Sequence, residues 1–312
     1  MNEEEVVRSI TSFIRGKVRP HLGAWRSRAV TGTAESGDAT FAIDDIAEEA
    51  IIEFITTNDL SIAFYSEDKG LVKFGGAPQA VLVIDPIDGT RPALAGFEQC
   101  VVAVSSSEYT EHVTMGSVRC GCVAELKQDD VFFASRGRGA VWTDGTGQSR
   151  ILNLSRTTDL ANAPLSFEAV ARPFQYLGPV LSEIINTSSI RGGCFLFNST
   201  AYSLTRLLTG QLAAVLDVGA RIMKDHPWTR DTFIEAGRGK ALGLFTYDIA
   251  AAALIAIEAG AIVTNAYGES FNDIPLLDTS ESNLQTICAA SNQELHERLL
   301  GSIADGVKKL QP

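Results

Sequence analysis

The sequence is poor in the residues on which thiolate metal sites, disulfide frameworks and membrane spans depend. Its 312 residues include 5 cysteines and 4 histidines, and no histidine pairs with a cysteine at the spacing of a zinc site. The odd number and scatter of the cysteines exclude a disulfide framework and favour a reducing cytoplasm. The longest apolar run, 249–263, is too short for a bilayer, and the first residues are acidic. We therefore expect neither a transmembrane helix nor a signal peptide.

Positive charge is scarce as well. Acidic residues outnumber basic ones by 38 to 26, which gives a net charge of −12. Such a surface repels nucleic-acid backbones, so we expect neither a nucleic-acid polymer nor a membrane as a partner. A small anionic substrate is still allowed, because a bound divalent cation inverts the local field. Any metal should be a hard cation that carboxylates hold.

The organisation of the chain predicts an α+β protein of layered helices and sheets. Its length suggests two domains, 1–150 and 151–312. Strand-like runs fill most of 61–142, and short strands alternate with helices after residue 150. Apolar periodicity predicts helices at six places: 3–22, 44–57, 174–186, 199–209, 248–259 and 292–308.

The most informative segment is DPIDGT at 85–90. A buried strand delivers Asp85 and Asp88 into a turn that Pro86 and Gly89 shape. Carboxylates bind Mg²⁺, and free backbone N–H groups in the turn bind phosphate oxygens. The segment is typical of a metal-assisted phosphate site. Taken alone, Asp-x-x-Asp is more typical of an acidic surface turn between a strand and a helix.

Other acidic residues stand at the ends of predicted elements. Glu67 and Asp68 end the preceding strand, where Glu67 could lie close to Asp85. Asp44 begins the second predicted helix, and Asp248 begins an apolar, alanine-rich one. Each of these acids alone is as readily a helix cap or a solvated turn residue. Their order along the chain is what indicates a shared site.

That order, with DPIDGT at 85–90 and YDIAA at 247–251, resembles the magnesium-dependent, lithium-sensitive phosphatases. This superfamily includes inositol monophosphatase, fructose-bisphosphatases and the 3′-phosphoadenosine-5′-phosphate phosphatases. The resemblance extends from about residue 6 to residue 308. It implies an α-β-α-β-α layered sandwich, usually dimeric, that uses Mg²⁺ to hydrolyse a phosphomonoester.

The resemblance also implies a ligand set for two Mg²⁺ ions, with a third, weaker ion in some members. The first ion would be held by Glu67, Asp85 and the carbonyl of Ile87. The second ion would be held by Asp85, Asp88 and Asp248. Two ions in such a site clamp the attacking and leaving oxygens of the phosphate ester.

Catalytic and substrate-binding roles follow from the same resemblance. Asp44 and Thr90 match the pair that acts on the attacking water, and Glu67 is counted with them as catalytic. Asp217 matches an acid that contacts substrate hydroxyls in the family, although a strand-end cap is an equal interpretation. The residues expected to bind substrate are Asp88, Gly89, Thr90, Arg91, Asp217 and Asp248.

Two departures from the family pattern bear on the substrate. The usual Thr-Asn after Gly-Thr is Arg91-Pro92, which places a cation beside the phosphate turn. The stretch 220–245 is longer than in compact members and locally basic. It is interpreted either as a flap over an anionic substrate or as a surface excursion or dimer contact.

These observations predict a cytoplasmic, homodimeric, Mg²⁺-dependent phosphatase of a small polyol or sugar phosphate, such as inositol monophosphate. Alternative substrates are fructose 1,6-bisphosphate, 3′-phosphoadenosine 5′-phosphate and histidinol phosphate. From a different functional class, the chain could be a non-catalytic module that binds metal or phosphate on the same scaffold.

Overall fold

Nine α-helices and fifteen strands make up the chain, which the computed structural model describes over residues 1–312. The helices are α1 (Glu3–Val18), α2 (Ala42–Thr57), α3 (Thr90–Ala95), α4 (Phe174–Ser188), α5 (Thr200–Leu208), α6 (Gly219–Asp225), α7 (Arg230–Ala236), α8 (Thr246–Glu258) and α9 (Gln293–Lys308). The strands are β1 (Val30–Thr33), β2 (Ala39–Phe41), β3 (Ala63–Ser66), β4 (Gly70–Lys73), β5 (Ala80–Asp88), β6 (Val101–Glu108), β7 (Val118–Glu125), β8 (Val131–Ser135), β9 (Ala140–Thr143), β10 (Ser149–Arg150), β11 (Leu165–Phe167), β12 (Cys194–Phe195), β13 (Ala214–Asp217), β14 (Ile262–Thr264) and β15 (Ile287–Ala290).

Two sheets carry the fold, beside a small β1–β2 hairpin. The large sheet has the order β10-β9-β8-β7-β6-β5-β3-β4, and only the β3–β5 pair is parallel. The small sheet has the order β12-β11-β13-β15-β14, in which β11 runs parallel to both of its neighbours. The mixed sheets and the interleaved helices confirm the predicted α+β class.

Helices cover both faces of the large sheet because its strands alternate apolar side chains between them. Leu82 and Ile84 of β5 pack under α1 and α2, whereas Val81 and Val83 face α5 and α8. The small sheet lies on the far side of α5 and α8, and α4 and α9 cover its outer face. The layers therefore run α-β-α-β-α, as predicted.

Several predicted boundaries were wrong by a few residues. The first helix ends at Val18 and continues only as a 3₁₀ turn, Arg19–His21, because Pro20 cannot donate a helical hydrogen bond. The second helix begins at Ala42, two residues before the predicted start. Asp44 is consequently inside its first turn, where the carboxylate accepts from the Phe41 N–H at 2.8 Å.

The predicted division at residue 150 coincides with the end of β10, the last strand of the large sheet. The central apolar layer nevertheless draws side chains from both parts of the chain, since α5 and α8 pack on β5–β8. The division into 1–150 and 151–312 stays a prediction. No helix has both the length and the apolar character that crossing a bilayer requires.

The long stretch 220–245 folds back onto the body of the protein. Tyr176 of α4 contacts Trp228 edge-on at 5.4 Å and stacks on Phe233 at 6.4 Å between ring centroids. Arg230 forms an ion pair with Glu281 at 2.7 Å. The stretch is therefore a packed pair of short helices, and its last residues reach the cavity described next.

Candidate active site

One open cavity lies where the turns after β3, β5 and β11 meet the starts of α3, α5 and α8. Its wall is predominantly polar. The charged residues that line it are Asp38, Glu67, Asp85, Asp88, Arg91, Glu168, Arg172 and Asp248. Ile87, Gly89 and Thr90 also line it. The cavity thus brings together all the predicted metal ligands, which come from three separate parts of the sequence: residue 67, residues 85–88 and residue 248.

We call Glu67, Asp85, Asp88 and Asp248 the acidic cluster. Each of these carboxylates has one oxygen that accepts a hydrogen bond from the protein. The second oxygen of each is not among the buried polar atoms that lack a hydrogen-bond partner. The second oxygens therefore open into the cavity. For three members the donors are the Ser36 hydroxyl to Glu67 Oε1 (2.9 Å), the Ile87 N–H to Asp85 Oδ1 (3.1 Å) and the Phe245 N–H to Asp248 Oδ2 (2.6 Å).

Asp88 links the two halves of the chain. Its Oδ2 accepts from the Ser199 hydroxyl at 2.8 Å and from the Ala201 N–H at 2.5 Å, at the first turn of α5. An acidic side chain is stabilised there because the N–H groups of the first turn have no partner within the helix. Asp88 is 7% exposed, and these contacts fix its other oxygen towards the cavity.

Burial dominates the electrostatics of the acidic cluster. Desolvation raises the pKa of Glu67 to about 8 and the pKa of Asp88 to about 6. It raises the pKa of Asp85 and Asp248 as well, and repulsion from the other members of the cluster adds to both rises. Such repulsion requires short distances between the carboxylates. A bound cation would offset the free-energy cost of keeping these buried carboxylates ionised.

The donor set fits a hard divalent cation, since it consists of carboxylate and carbonyl oxygens only. No three acidic, histidine or cysteine side chains already stand in the geometry of a formed metal site. A metal ion held there would therefore require the carboxylates of the cluster to come closer together. The carbonyl of Ile87, the fifth predicted ligand, accepts from the Thr90 hydroxyl at 3.1 Å and keeps a second lone pair.

The structure brings the predicted catalytic pair into contact. The Thr90 hydroxyl, which lines the cavity, lies 3.4 Å from Asp44 Oδ1. Asp44 itself is 7% exposed and lies behind Thr90. Burial raises the pKa of Asp44 to about 7, although the N–H of Phe41 opposes that rise. A carboxylate with this pKa can accept a proton near neutral pH.

Gly89 and Arg91 flank Thr90 in the turn. Gly89 has φ of +89°, and a Cβ there would lie 2.5 Å from the Gln99 carbonyl oxygen, so only glycine fits. Arg91 was predicted to bind substrate. Its guanidinium lines the cavity but donates to both oxygens of Asp38, at 2.8 and 3.1 Å.

Asp217 was also predicted to contact substrate, and it lies behind the cavity wall. It is 1% exposed and pairs with Arg172, which lines the cavity in its place. Sequence reasoning did not identify Arg172, Glu168 or Ser199. A usable signal existed for Glu168, because it follows β11 directly, next to the end of the parallel strand β13.

Glu48 is a buried acid outside the cavity. It lies one turn after Asp44 on α2, is 1% exposed, and neither of its carboxylate oxygens has a hydrogen-bond partner. Burial raises the pKa of Glu48 from 4.5 to about 7; the nearby Ser66 hydroxyl opposes the rise and the charge of Asp68 adds to it. The folded state thus holds the proton more tightly than the unfolded state. The resulting stabilisation is complete below about pH 4.5 and is lost as the pH rises to about 7.

Glu48→Gln is expected to gain stability relative to the wild type, by about 2–3 kcal/mol, as the pH rises from 5 to 8. The amide cannot ionise, so it escapes the penalty of a buried charge. Urea unfolding in EDTA at both pH values measures the difference. Glu49→Gln, on the exposed side of the same helix, is the control. An equal pH dependence of the two variants would contradict the burial effect.

The chain is similar to known proteins over nearly its whole length. A model of the inositol monophosphatase family matches residues 4–308. The chain is 27% identical to a bifunctional NADP phosphatase/NAD kinase of Methanococcus maripaludis, over 96% of this chain but only 49% of that protein. It therefore spans about half the length of that relative.

Two further relatives match end to end. The chain is 25% identical to a fructose-1,6-bisphosphatase/inositol-1-monophosphatase of Thermococcus kodakarensis, over 98% of each protein. The solved structure of the Thermotoga maritima IMPase aligns with a TM-score of 0.67 at 18% identity and covers 96% of each chain. At that identity the structural match shows a shared fold.

Proposed function

We propose, since this chain belongs to the inositol monophosphatase family, that it is a Mg²⁺-dependent phosphatase of a small polyol or sugar monophosphate such as inositol monophosphate. The observation that carries the proposal is the acidic cluster beside the Asp44–Thr90 pair, on the wall of one cavity. A module that only binds metal or phosphate has no need for a buried acid behind a threonine hydroxyl.

The acidic cluster and the Ile87 carbonyl would hold two or three Mg²⁺ ions. Bound Mg²⁺ would neutralise the ester phosphate, activate water and stabilise the leaving oxygen. Asp85, whose carboxylate is repelled by the charges of Asp88, Asp248 and Glu67, would hold metal together with these residues. The side chains and backbone of this protein would orient the ester, position the attacking water and accept its proton.

The turn 89–91 would orient the ester. The first N–H groups of α3 have no acceptor within that helix, so they can donate to phosphate oxygens. Thr90 would hold the attacking water in line with the phosphorus. A proton leaves that water through the Thr90 hydroxyl towards Asp44 Oδ1, 3.4 Å away. Positioning and electrostatics then supply most of the rate enhancement.

Location and assembly belong to the same proposal. All five cysteines are free thiols, which fits a reducing cytoplasm. We also propose a homodimer, as the family resemblance implies. Relatives named for NADP phosphatase and fructose-1,6-bisphosphatase activity make the corresponding substrates the alternatives to test.

Phosphate release from inositol 1-phosphate and p-nitrophenyl phosphate tests the proposal. The purified chain is expected to hydrolyse both esters with Mg²⁺, to lose at least about 100-fold of its rate in EDTA, and to recover with excess Mg²⁺. Absence of Mg²⁺-dependent release from every ester tried would contradict the proposal and favour a non-catalytic module.

A further inference from the structure

The β1–β2 hairpin forms one rim of the cavity, and we call its turn, residues 34–38, the hairpin tip. The hairpin is a two-stranded sheet in which all four residues of β1 are exposed. A hairpin of this kind is at best marginally stable by itself in water. The tip is nevertheless partly enclosed, since Ala34 and Ser36 are each 6% exposed. Contacts between the tip and the rest of the protein therefore decide where the hairpin lies.

The hairpin tip contacts two groups of the proposed site. The Ser36 hydroxyl donates to Glu67 Oε1 at 2.9 Å, and it is the only protein donor to that carboxylate. Asp38 accepts from the guanidinium of Arg91, in the turn proposed to bind the phosphate, at 2.8 and 3.1 Å. The position of the tip consequently sets the orientation of Glu67, a proposed metal ligand.

Lys240, near the end of the stretch 220–245, packs against this tip from outside the cavity. Its Nζ donates to the Glu35 carbonyl at 3.3 Å. Its stem lies against Gly37, where an added Cβ would fall 2.4 Å from Lys240 Cδ and 3.2 Å from Lys240 Cβ. Gly37 has φ of +100°, in the region that favours glycine. The lysine stem can approach the hairpin this closely because the residue beneath it has no side chain.

The segment that carries Lys240 is anchored on both sides. Before it, the N–H of Gly237 donates to the carbonyl of the fully buried Phe233 at 2.9 Å, which closes the end of α7. After it, the Leu244 carbonyl accepts from the N–H of Gln285 at 2.8 Å. Lys240 thus connects a fixed part of the protein with a hairpin that has little support of its own.

We propose that Lys240 braces the hairpin tip and thereby holds Ser36 and Glu67 in the position in which the acidic cluster binds Mg²⁺. Lys240 is a positioning residue, since it acts on Glu67 through the tip and touches neither metal nor substrate. The inference rests on the proposed phosphatase function and gives the stretch 220–245 a role in it. Without the brace, binding of the ion would have to order the hairpin as well, and that ordering would weaken the observed affinity.

Lys240→Ala should weaken the binding of Mn²⁺ to the substrate-free protein about fivefold, because it removes one hydrogen bond and the packing on Gly37. Isothermal titration calorimetry measures the affinity. The melting temperature should stay within about 2 °C of the wild type, since the side chain is exposed. Lys224→Ala is the matched control: this exposed lysine of the same stretch lies over the Tyr267 ring, and its loss should leave Mn²⁺ binding unchanged.

Turnover separates positioning from catalysis. In Lys240→Ala, the Mg²⁺ concentration that gives half-maximal hydrolysis of p-nitrophenyl phosphate should rise about fivefold, while kcat at saturating Mg²⁺ stays within about twofold of the wild type. A fall in kcat that excess Mg²⁺ does not restore would overturn the positioning role.

Ser36→Ala tests the route from Lys240 to Glu67. This substitution removes the hydroxyl that holds Glu67 and should weaken Mn²⁺ binding about fivefold by itself. If Lys240 acts through Ser36, the double variant should bind about fivefold more weakly than the wild type, whereas independent effects would multiply to about 25-fold. Multiplying effects would overturn the proposed route.

Hydrogen exchange in EDTA tests the brace without any metal. The amides of Ala34 and Gly37, which donate to the carbonyls of Asp38 and Ala34 at 2.9 Å each, should exchange about fivefold faster in Lys240→Ala than in the wild type. Equal exchange in the two proteins, or equal Mn²⁺ affinity, overturns this inference alone. A wild type that binds no Mn²⁺ at all instead removes the metal site of the proposed function, and the inference with it.

Discussion

Asp88→Asn is expected to lower Mg²⁺-dependent kcat/KM by about 10³-fold or more while leaving the chain folded. In the wild type, Asp88 Oδ2 accepts from the Ser199 hydroxyl and the Ala201 N–H at the start of α5. Only the amide oxygen of an asparagine can accept from those donors. The amide nitrogen would then face the cavity, where a donor cannot bind a metal ion.

Stability should hardly change in this variant, because asparagine caps a helix about as well as aspartate. Circular dichroism and thermal unfolding measure that part of the expectation. Asp159→Asn is the matched control, since Asp159 caps the short helical turn Leu160–Asn162 by accepting from the Ala161 N–H at 3.0 Å. An Asp88→Asn variant with wild-type turnover would refute the assignment of Asp88 as a ligand.

Thr90→Ala should reduce kcat by about 10²–10³-fold and change KM by less than about threefold. The hydroxyl lies between Asp44 Oδ1 and the Ile87 carbonyl, at 3.4 and 3.1 Å. Its removal breaks the proposed proton path but leaves the backbone N–H groups of the turn, which would bind the phosphate in the proposed mechanism. Steady-state kinetics with inositol 1-phosphate separate the two constants.

Thr90→Ser supplies the control for the hydroxyl. It keeps the oxygen and removes only a methyl group, so it should retain most of the turnover. A loss of activity in Thr90→Ser as large as in Thr90→Ala would indicate that the methyl packing, and not the hydroxyl, supports catalysis. A rise in KM without a fall in kcat would instead place Thr90 in ground-state binding.

Much of the fold could be predicted because its signals are local. The apolar run before Asp85 predicted a buried strand, and the alternation of its side chains explains why both faces of β5 are covered. Cys120 and Cys122 are two residues apart on β7, so their side chains point to the same face of the sheet. They lie together under α1 and α2.

Site residues could be predicted from the sequence only where motifs mark the ends of strands and helices. The acidic cluster and Thr90 belong to such motifs, and they line one cavity. The pairing of Arg172 with Asp217 could not be foreseen, since it depends on the register between β11 and β13. Sequence alone also left open whether 220–245 was a flap or a surface excursion, since its position depends on contacts of Trp228 and Phe233 with Tyr176, which is distant in the sequence.

Anomalous diffraction from crystals grown with Mn²⁺ tests the convergence of the acidic cluster most directly. Two Mn²⁺ peaks are expected, each within about 2.5 Å of oxygens from Glu67, Asp85, Asp88 or Asp248, with Asp85 bridging them. Peaks that lie elsewhere on the protein, or carboxylate oxygens that stay beyond coordination distance at saturating Mn²⁺, would contradict the proposed phosphatase site.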